Sequence, residues 1–317
     1  MTAEFPFPFD PQTRADALHL IELALVEDVG SYDLTTAIDG TTRALFSDTA
    51  TVSATFVPRQ SGIVCGLQIC QLAIEHFAPK LELEINVVDS QSVSPGQALA
   101  LISGDPRDIL VMERTCLNFL CRLSAISTLT RAFVERVAGT QAKILDTRKT
   151  TPGWRRLEKY AVQCGGGMNH RMGLYDAIMI KDNHLAMHAS VVQDHQLSIT
   201  KAIRLARDWI LKNASSLPDG DQTILQIEVD TLEQLEVALA AGPDIVLLDN
   251  MNPEQLTTAV EIRNRTNPHI LLEASGGINL ETARTMAETG VERISVGGLT
   301  HSAGNFDIGL DWIQGRP

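Results

Sequence analysis

Residues 224–230 read ILQIEVD, 244–251 DIVLLDNM, 270–277 ILLEASGG and 293–299 RISVGGL. Each is a short apolar run that stops on a polar residue or a glycine, and the stops at Glu228, Asp249, Ser275 and Gly297 recur every 21 to 26 residues. That interval is the length of one β-loop-α-loop unit, and a series of such units builds a parallel sheet wound or closed by helices. The stretches between the runs, TLEQLEVALAAG (231–242), PEQLTTAVEIRNRT (253–266) and NLETARTMAETG (279–290), read as amphipathic helices. Two earlier runs, KIL before DTRKT (143–150) and AIMI before KDNH (177–184), extend the series backward. The pattern predicts an α/β fold with a β/α barrel of about six or seven strands. Its polar stops lie at the carboxyl ends of the strands, where barrel active sites form. A doubly wound open sheet uses the same strand ends, but no G-x-G-x-x-G turn follows an early strand here.

The chain before this series is mixed and does not repeat. Residues 14–28 have helical spacing, 50–59 (ATVSATFVPR) and 61–66 (SGIVCG) read as strands, and 66–77 as a short helix. Strands near LELEINVVD and ALALISG follow, with a turn at Ser94–Gly96 between them, and the helical pattern returns from about Asp105 to Val137.

With 317 residues, 44% hydrophobic and 21% charged, the chain suits a folded protein of two domains rather than a disordered one. No segment approaches ~20 uninterrupted apolar residues, and the acidic, proline-containing start does not resemble a signal peptide, so a cytoplasmic, membrane-free protein is expected. The five cysteines form no C-x-x-C pair and read as reduced structural thiols. A net charge of −13 argues against nucleic acid as a partner. Against that background residues 143–184 hold eight Lys or Arg and four acids, a balance of +4 that leaves −17 elsewhere. A basic island in an acidic protein points to a focused site for a small, highly charged anion. A solvated helix face of paired charges accounts for Arg155, Arg156, Glu158 and Lys159, but not for the others.

If the barrel forms, one mouth collects Arg148, Lys149, Lys181, Glu228, Asp249, Ser275 and Gly297. The turns Ser275-Gly276-Gly277 and Gly297-Gly298 end consecutive late strands, where backbone N–H groups can approach a phosphate; tight turns needing positive φ are the plainer explanation. Glu228 and Asp249 could accept from ribose hydroxyls, hold Mg²⁺ through a bound diphosphate, or stabilise positive charge on a sugar ring; a structural ion pair with Lys181 is the alternative. In CGGGMNHRMGLYD (164–176) three glycines suggest a loop free to fold over a ligand, followed at once by His170 and Arg171 as donors for carboxylates.

The stretches EDVGSYDLTT, ERTCLNFLCRLSAISTLT, LDTRKTTPGWRRLEKYAVQCGGGMNHRMGLYDAIMIKDNH, IEVDTLEQ, VLLDNM, LEASGGI and SVGGLTHS resemble the quinolinate phosphoribosyltransferases, in family order from about residue 20 to the C-terminus. The resemblance implies an N-terminal α/β sandwich-like domain (1–120), an incomplete β/α barrel (121–300) and a C-terminal segment (301–317) that packs back on the first domain. It implies a homodimer, or a higher oligomer, in which Arg114 reaches across the interface. Thr147, Arg148, Lys149, His170, Arg171 and Lys181 then line a quinolinate pocket, with Lys149, Glu228 and Asp249 in catalytic roles. Glu228 and Asp249 stand near the ribose and its Mg²⁺, and Ser275, Gly276, Gly277, Gly297, Gly298 and His301 near the 5′-phosphate. The implied substrates are quinolinate and phosphoribosyl pyrophosphate. Two positions depart from the pattern: Tyr32 stands where glycine is expected, and Gly298 where alanine is frequent. A nicotinate-specific or molybdate-related relative would share the barrel but differ in the pocket for the second carboxylate; a non-catalytic anion binder would have no use for both acids.

Overall fold

Ala17, Ile21 and Leu25 are spaced four residues apart and fully buried, and they set the inward face of helix α1 (Pro11–Val29). Asp10 starts it by accepting the Thr13 N–H at 2.8 Å; Gly30, at φ +73°, ends it. The computed structural model describes residues 5–37, 39–46, 51–192 and 195–313. Within it α1 belongs to the first of two units, which comprises the chain up to Arg131, residues 150–166, and the chain from Leu299 onward.

This unit also holds α2 (Gly40–Leu45), β1 (Val52–Pro58), β2 (Gly62–Ile63), α3 (Leu67–Phe77), β3 (Glu82–Ile85), β4 (Ser92–Val93), β5 (Ala100–Gly104), most of α4 (Pro106–Arg136), α5 (Arg155–Cys164) and the last strand, β12 (Ile308–Trp312). Four strands form an antiparallel sheet in the order β12-β1-β5-β3, and β2 pairs with β4. Phe56 of β1 sits opposite Leu310 on one side and Ala100 on the other.

The division expected at 120/121 does not coincide with the observed one. It falls inside α4, whose 31 residues run unbroken through it, because the apolar face that buries Met112, Phe119, Leu123 and Ile126 never lapses into a linker. The chain changes unit at 131/132 and returns to the first unit at 150–166. That return also corrects the reading of α5 as a solvated face. Glu158 and Lys159 are both fully buried, and Glu158 accepts from Arg122 at 2.7 Å and from the Thr151 hydroxyl at 2.9 Å.

The second unit (132–149 and 167–298) holds β6 (Lys143–Leu145), β7 (Ile178–Ile180), α6 (Asp182–Val192), α7 (His195–Asn213), β8 (Leu225–Val229), α8 (Leu232–Ala241), β9 (Ile245–Asp249), α9 (Pro253–Thr266), β10 (Leu271–Ser275), α10 (Ala283–Glu288) and β11 (Arg293–Ser295); the short α11 (Gly298–His301) follows. All six strands are parallel, in the order β7-β8-β9-β10-β11-β6. The first strand thus pairs with the last, while β6 and β7, neighbours in the chain, stand at the two edges. In a flat sheet their connection would span five strand spacings, about 24 Å; the order is that of a barrel opened along one seam. The chain departs to the first unit between those two strands.

The apolar runs cover one face and leave the other mixed. Leu225, Ile227, Val229, Val246, Leu248, Leu272, Ala274 and Ile294 are buried and alternate with Gln226, Glu228, Leu247, Asp249, Glu273, Ser275, Arg293 and Ser295. No described helix is long and apolar enough to cross a membrane. The five cysteines are free thiols, all but Cys121 buried.

In the first unit, Asp89 is fully buried at the N-terminus of α3, where its carboxylate accepts from the Leu67 N–H (2.9 Å) and the Tyr160 hydroxyl (2.7 Å). Gln68 donates to that hydroxyl at 2.7 Å and to the Phe7 carbonyl at 2.9 Å. Asp89→Ala would strand two buried donors, so a loss of about 2–4 kcal/mol is expected, measurable as a fall in the denaturant midpoint at unchanged m-value.

Candidate functional site

Register decides which side chains of the second unit meet. Across β8 to β11, Glu228 stands opposite Leu247, Leu247 opposite Glu273, and Glu273 opposite Arg293, so these four share one level and one face. Two residues further on, Asp249, Ser275 and Ser295 form the next level, opposite Leu145 of β6. Lys181 follows β7 directly, and its ammonium lies 2.5 Å from Glu228 Oε2. The ion pair that was the alternative to a functional Glu228 is therefore present; Lys181 nevertheless stays 42% exposed, open to a ligand.

Asp249, at the end of β9, is half-buried. Burial first, then the neighbouring Asp230, push its carboxyl up; Lys181 and the Asn250 amide pull it down, and Asp182 pushes again. Asn250 donates to Asp249 at 2.7 Å from a left-handed backbone, φ +54°. Its N–H also donates to the Ser275 carbonyl at 2.9 Å. Gly276, at φ +93°, exists because of this neighbour: a Cβ there would lie 2.1 Å from Asn250 Oδ1 and 3.0 Å from its backbone nitrogen. Gly277 is also left-handed, at φ +63°. Gly298 needs no such explanation. A Cβ would meet only Val296 at 3.9 Å, so the alanine frequent in the family would fit.

The cationic side comes from the loops after β6 and before β7. Thr147 and Arg148 are half-buried and Lys149 exposed; the Lys149 N–H donates to the Thr147 hydroxyl at 3.1 Å. Arg171 donates to the Ala177 carbonyl at 2.9 Å. Burial first, and the charge of Arg148 second, push the Arg171 guanidinium below its ordinary pKa, with Asp176 opposing. Two guanidiniums held near each other are a standing demand for an anion. His170, beside them, donates its main-chain N–H to the fully buried Asp146 at 2.8 Å.

Of the expected site residues, Thr147, Arg148, Lys149, His170, Arg171, Lys181, Glu228, Asp249, Ser275, Gly276, Gly277, Gly297 and Gly298 all belong to this unit. Arg114 and His301 belong to the other. Arg114 is exposed on α4, and His301 is exposed with Nδ1 2.6 Å from the Ser302 hydroxyl. The glycine run is not simply a free loop: Gly165 is buried at the end of α5, where a Cβ would lie 2.5 Å from the Ser127 carbonyl. Tyr32, the other departure, is exposed.

Glu273, Arg293 and Asp146 were not anticipated. Glu273 is fully buried, with Arg293 Nε 2.8 Å from Oε2 and His170 Nε2 3.3 Å from Oε1. Burial pushes its carboxyl up, but His170 and Arg293 outweigh it and hold the pKa at about 2. For Glu273 the signal was a charge in the middle of β10, between Leu272 and Ala274. Among the described residues no group of three or more His, Cys, Asp or Glu is placed to hold a metal ion. Asp249, repelled by Asp230 and Asp182, is nonetheless the kind of carboxylate that suits a divalent cation arriving with an oxygen-rich ligand.

Gly276→Ala is expected to destabilise the protein by about 1–3 kcal/mol, Gly277→Ala by about 1, and Gly298→Ala hardly at all. Thermal unfolding of the three variants gives the ranking.

The family model for the N-terminal domain of quinolinate phosphoribosyl transferase matches residues 39–124, and that for its C-terminal domain residues 126–311. Nicotinate-nucleotide pyrophosphorylase [carboxylating] of Mycobacterium leprae is 42% identical over 281 residues, 88% of this chain and 93% of the relative. Quinolinate phosphoribosyltransferase [decarboxylating] 1 of Nicotiana glauca is 34% identical over 93% of this chain and 82% of its own. The structure of nicotinate-nucleotide pyrophosphorylase from Francisella tularensis aligns with a TM-score of 0.81 at 31% identity, covering 98% of this chain and all of that one.

Proposed function

The chain belongs to the quinolinate phosphoribosyltransferase family, and we propose that the strand-end mouth of its parallel barrel is where its reaction takes place. The enzyme transfers the phosphoribosyl group of phosphoribosyl pyrophosphate to quinolinate, with decarboxylation, giving nicotinate mononucleotide, diphosphate and carbon dioxide for NAD synthesis. The observation that carries the site assignment is the pairing of two neighbouring guanidiniums, Arg148 and Arg171, with the Lys181–Glu228 and Asp249 group on the same strand-end rim.

In this reading Arg148 and Arg171, with Thr147, Lys149 and Lys181, hold the two adjacent carboxylates so that the ring nitrogen faces C1 of the sugar. Positioning of this kind accounts for much of a bimolecular barrier. The nitrogen forms a bond to C1 as the C1–oxygen bond to diphosphate breaks, through a transition state with oxocarbenium character. Glu228 and Asp249 lie where their charge stabilises that cation and where they can accept from the ribose hydroxyls. The product nitrogen is a pyridinium, which takes up the electron pair of the neighbouring C–CO₂⁻ bond; carbon dioxide leaves and the ring carbon is then protonated. Mg²⁺, bound through the diphosphate with Asp249 or Glu228, would neutralise the leaving group. The Ser275–Gly277 and Gly297–Gly298 turns take the 5′-phosphate. The enzyme acts as a homodimer in the cytoplasm, Arg114 reaching into the site of the second subunit; its exposure on α4 leaves it available for this.

Incubation with quinolinate, phosphoribosyl pyrophosphate and Mg²⁺ is expected to yield carbon dioxide and nicotinate mononucleotide in equal amounts, and nicotinate in place of quinolinate to yield none. Mononucleotide from nicotinate alone would overturn the dicarboxylate reading while leaving the phosphoribosyl site standing. Arg148→Lys keeps the charge but loses the planar fork that binds a carboxylate through two bonds. A fall in kcat/KM for quinolinate of about 100-fold or more is expected on that ground, and near-normal kinetics would remove Arg148 from this role.

A further inference from the structure

β6 is an edge of the six-stranded sheet, yet its end is bonded on both sides. On one side the Val296 N–H donates to the Leu145 carbonyl at 2.9 Å. On the other, where the chain re-enters this unit, Met168 lies against Leu145 in a single parallel bridge. The Met168 N–H donates to the Ile144 carbonyl at 2.8 Å, and the Asp146 N–H to the Met168 carbonyl at 3.2 Å. Met168 thus occupies, over one bridge, the place that a seventh strand would take. A parallel ladder spaces its bonds evenly, so the next would run from the His170 N–H to the Asp146 carbonyl. That N–H donates instead to the Asp146 carboxylate, at 2.8 Å to Oδ1. A side-chain oxygen reaches further than a main-chain one, so the tether holds where strand pairing has ended.

Register follows from the bridge. Arg148 and Arg171 each lie three residues past it, from 145 to 148 on one chain segment and from 168 to 171 on the other. Arg148 is accordingly the neighbour whose charge weighs against that of Arg171. Like charges so placed repel, and the loops that carry them need an attachment that does not depend on the ligand. Asp146 is fully buried, a position that a carboxylate holds only when hydrogen bonds are made to it.

We propose that Asp146 is a positioning residue for the reaction: its buried carboxylate ties the loop after β6 to the loop before β7, and so sets the separation of Arg148 and Arg171. The pocket for two adjacent carboxylates is then formed before the ligand arrives, and binding does not have to supply the ordering of the loops. Asp146 acts through the main chain of His170 and, being buried, does not itself meet the substrate. The inference rests on the assignment of Arg148 and Arg171 to the pyridine carboxylates.

Asp146→Ala and Asp146→Asn test it, read as separate KM values for quinolinate and phosphoribosyl pyrophosphate. Asp146→Ala is expected to raise the quinolinate KM about tenfold or more while the other KM stays within about threefold. Asp146→Asn keeps an oxygen in the same place, and its quinolinate KM is expected to rise by less than about threefold. A substitution that only lowered the folded fraction would reduce kcat and move neither KM. An unchanged quinolinate KM in Asp146→Ala, a matching rise in both KM values, or an Asn variant as poor as the Ala one overturns the proposal. If Asp146→Ala does not fold, hydrogen exchange of the unmodified enzyme decides. The His170 amide should be as protected as that of Val296, on the other side of β6, before quinolinate is added. Protection that appears only with quinolinate bound would mean that the ligand, not Asp146, joins the loops. Should the unmodified enzyme release no mononucleotide from quinolinate, the functional reading falls instead, and the His170 amide still judges the tether.

Discussion

A parallel ladder leaves no choice about which side chains share a level, because residues opposite each other on neighbouring strands point the same way. The second unit depends on that constraint. Asp249, Ser275 and Ser295 meet because β9, β10 and β11 pair in register, and Glu228, Leu247, Glu273 and Arg293 meet one level below for the same reason. A slip of one residue in any pair would turn Glu228 or Glu273 toward the helices and bring Ile227 or Ala274 to the mouth. The aliphatic half of the alternation prevents the slip, since Val246, Leu248, Leu272 and Ile294 would all leave the buried face together. The hydrophobic effect thus fixes the polar groups without touching them.

The polar level carries its own electrostatic problem. A fully buried glutamate is tolerable only where opposing groups are built in beside it; His170 and Arg293 outweigh burial and hold the Glu273 pKa at about 2. Lys181 and Glu228 repeat the device nearer the rim, in contact with solvent. Nearer the rim, burial and like charge act against the ionised forms of Asp249 and Arg171, with Lys181 and Asn250 opposing at the first and Asp176 at the second.

The strand ends were legible because a polar stop after an apolar run is a local signal: Asp249 and Ser275 end β9 and β10 where it put them, while Glu228 falls one residue inside the end of β8. Six strands formed, β6 and β7 among them, although each of those spans only three residues. The unit boundary was not legible. Residues 106–136 keep helical periodicity past the point where the chain changes partners, and the loop-like stretches at 150–153 (TTPG) and 165–167 (GGG) carry no sign that the chain changes unit there. Glu158 and Lys159 looked solvated because charge in a helix usually is; Glu158 is instead buried against Arg122 and Thr151, which the folded unit brings to it. Glu273 and Arg293 were hidden for the opposite reason. Glu273 lies in the middle of β10 and Arg293 at the start of β11, away from the carboxyl ends, although strands covered on both faces should be apolar throughout and the exception marks the polar face.

If Arg148 and Arg171 hold the pyridine carboxylates as proposed, the guanidinium pair gives one site a reason to prefer a dicarboxylate over a monocarboxylate. In the free enzyme Arg171 is partly desolvated and repelled by Arg148, and both effects work against its charge. Two adjacent carboxylates relieve both guanidiniums at once, whereas a single one leaves a like charge beside the new ion pair. On that proposal, rejection of the smaller acid needs no steric wall: the like charge of the second guanidinium remains beside the new ion pair. The same logic extends to the reaction. On the same proposal, decarboxylation would remove one of the two charges that hold the ring and so weaken the hold on it at the place where the chemistry occurred.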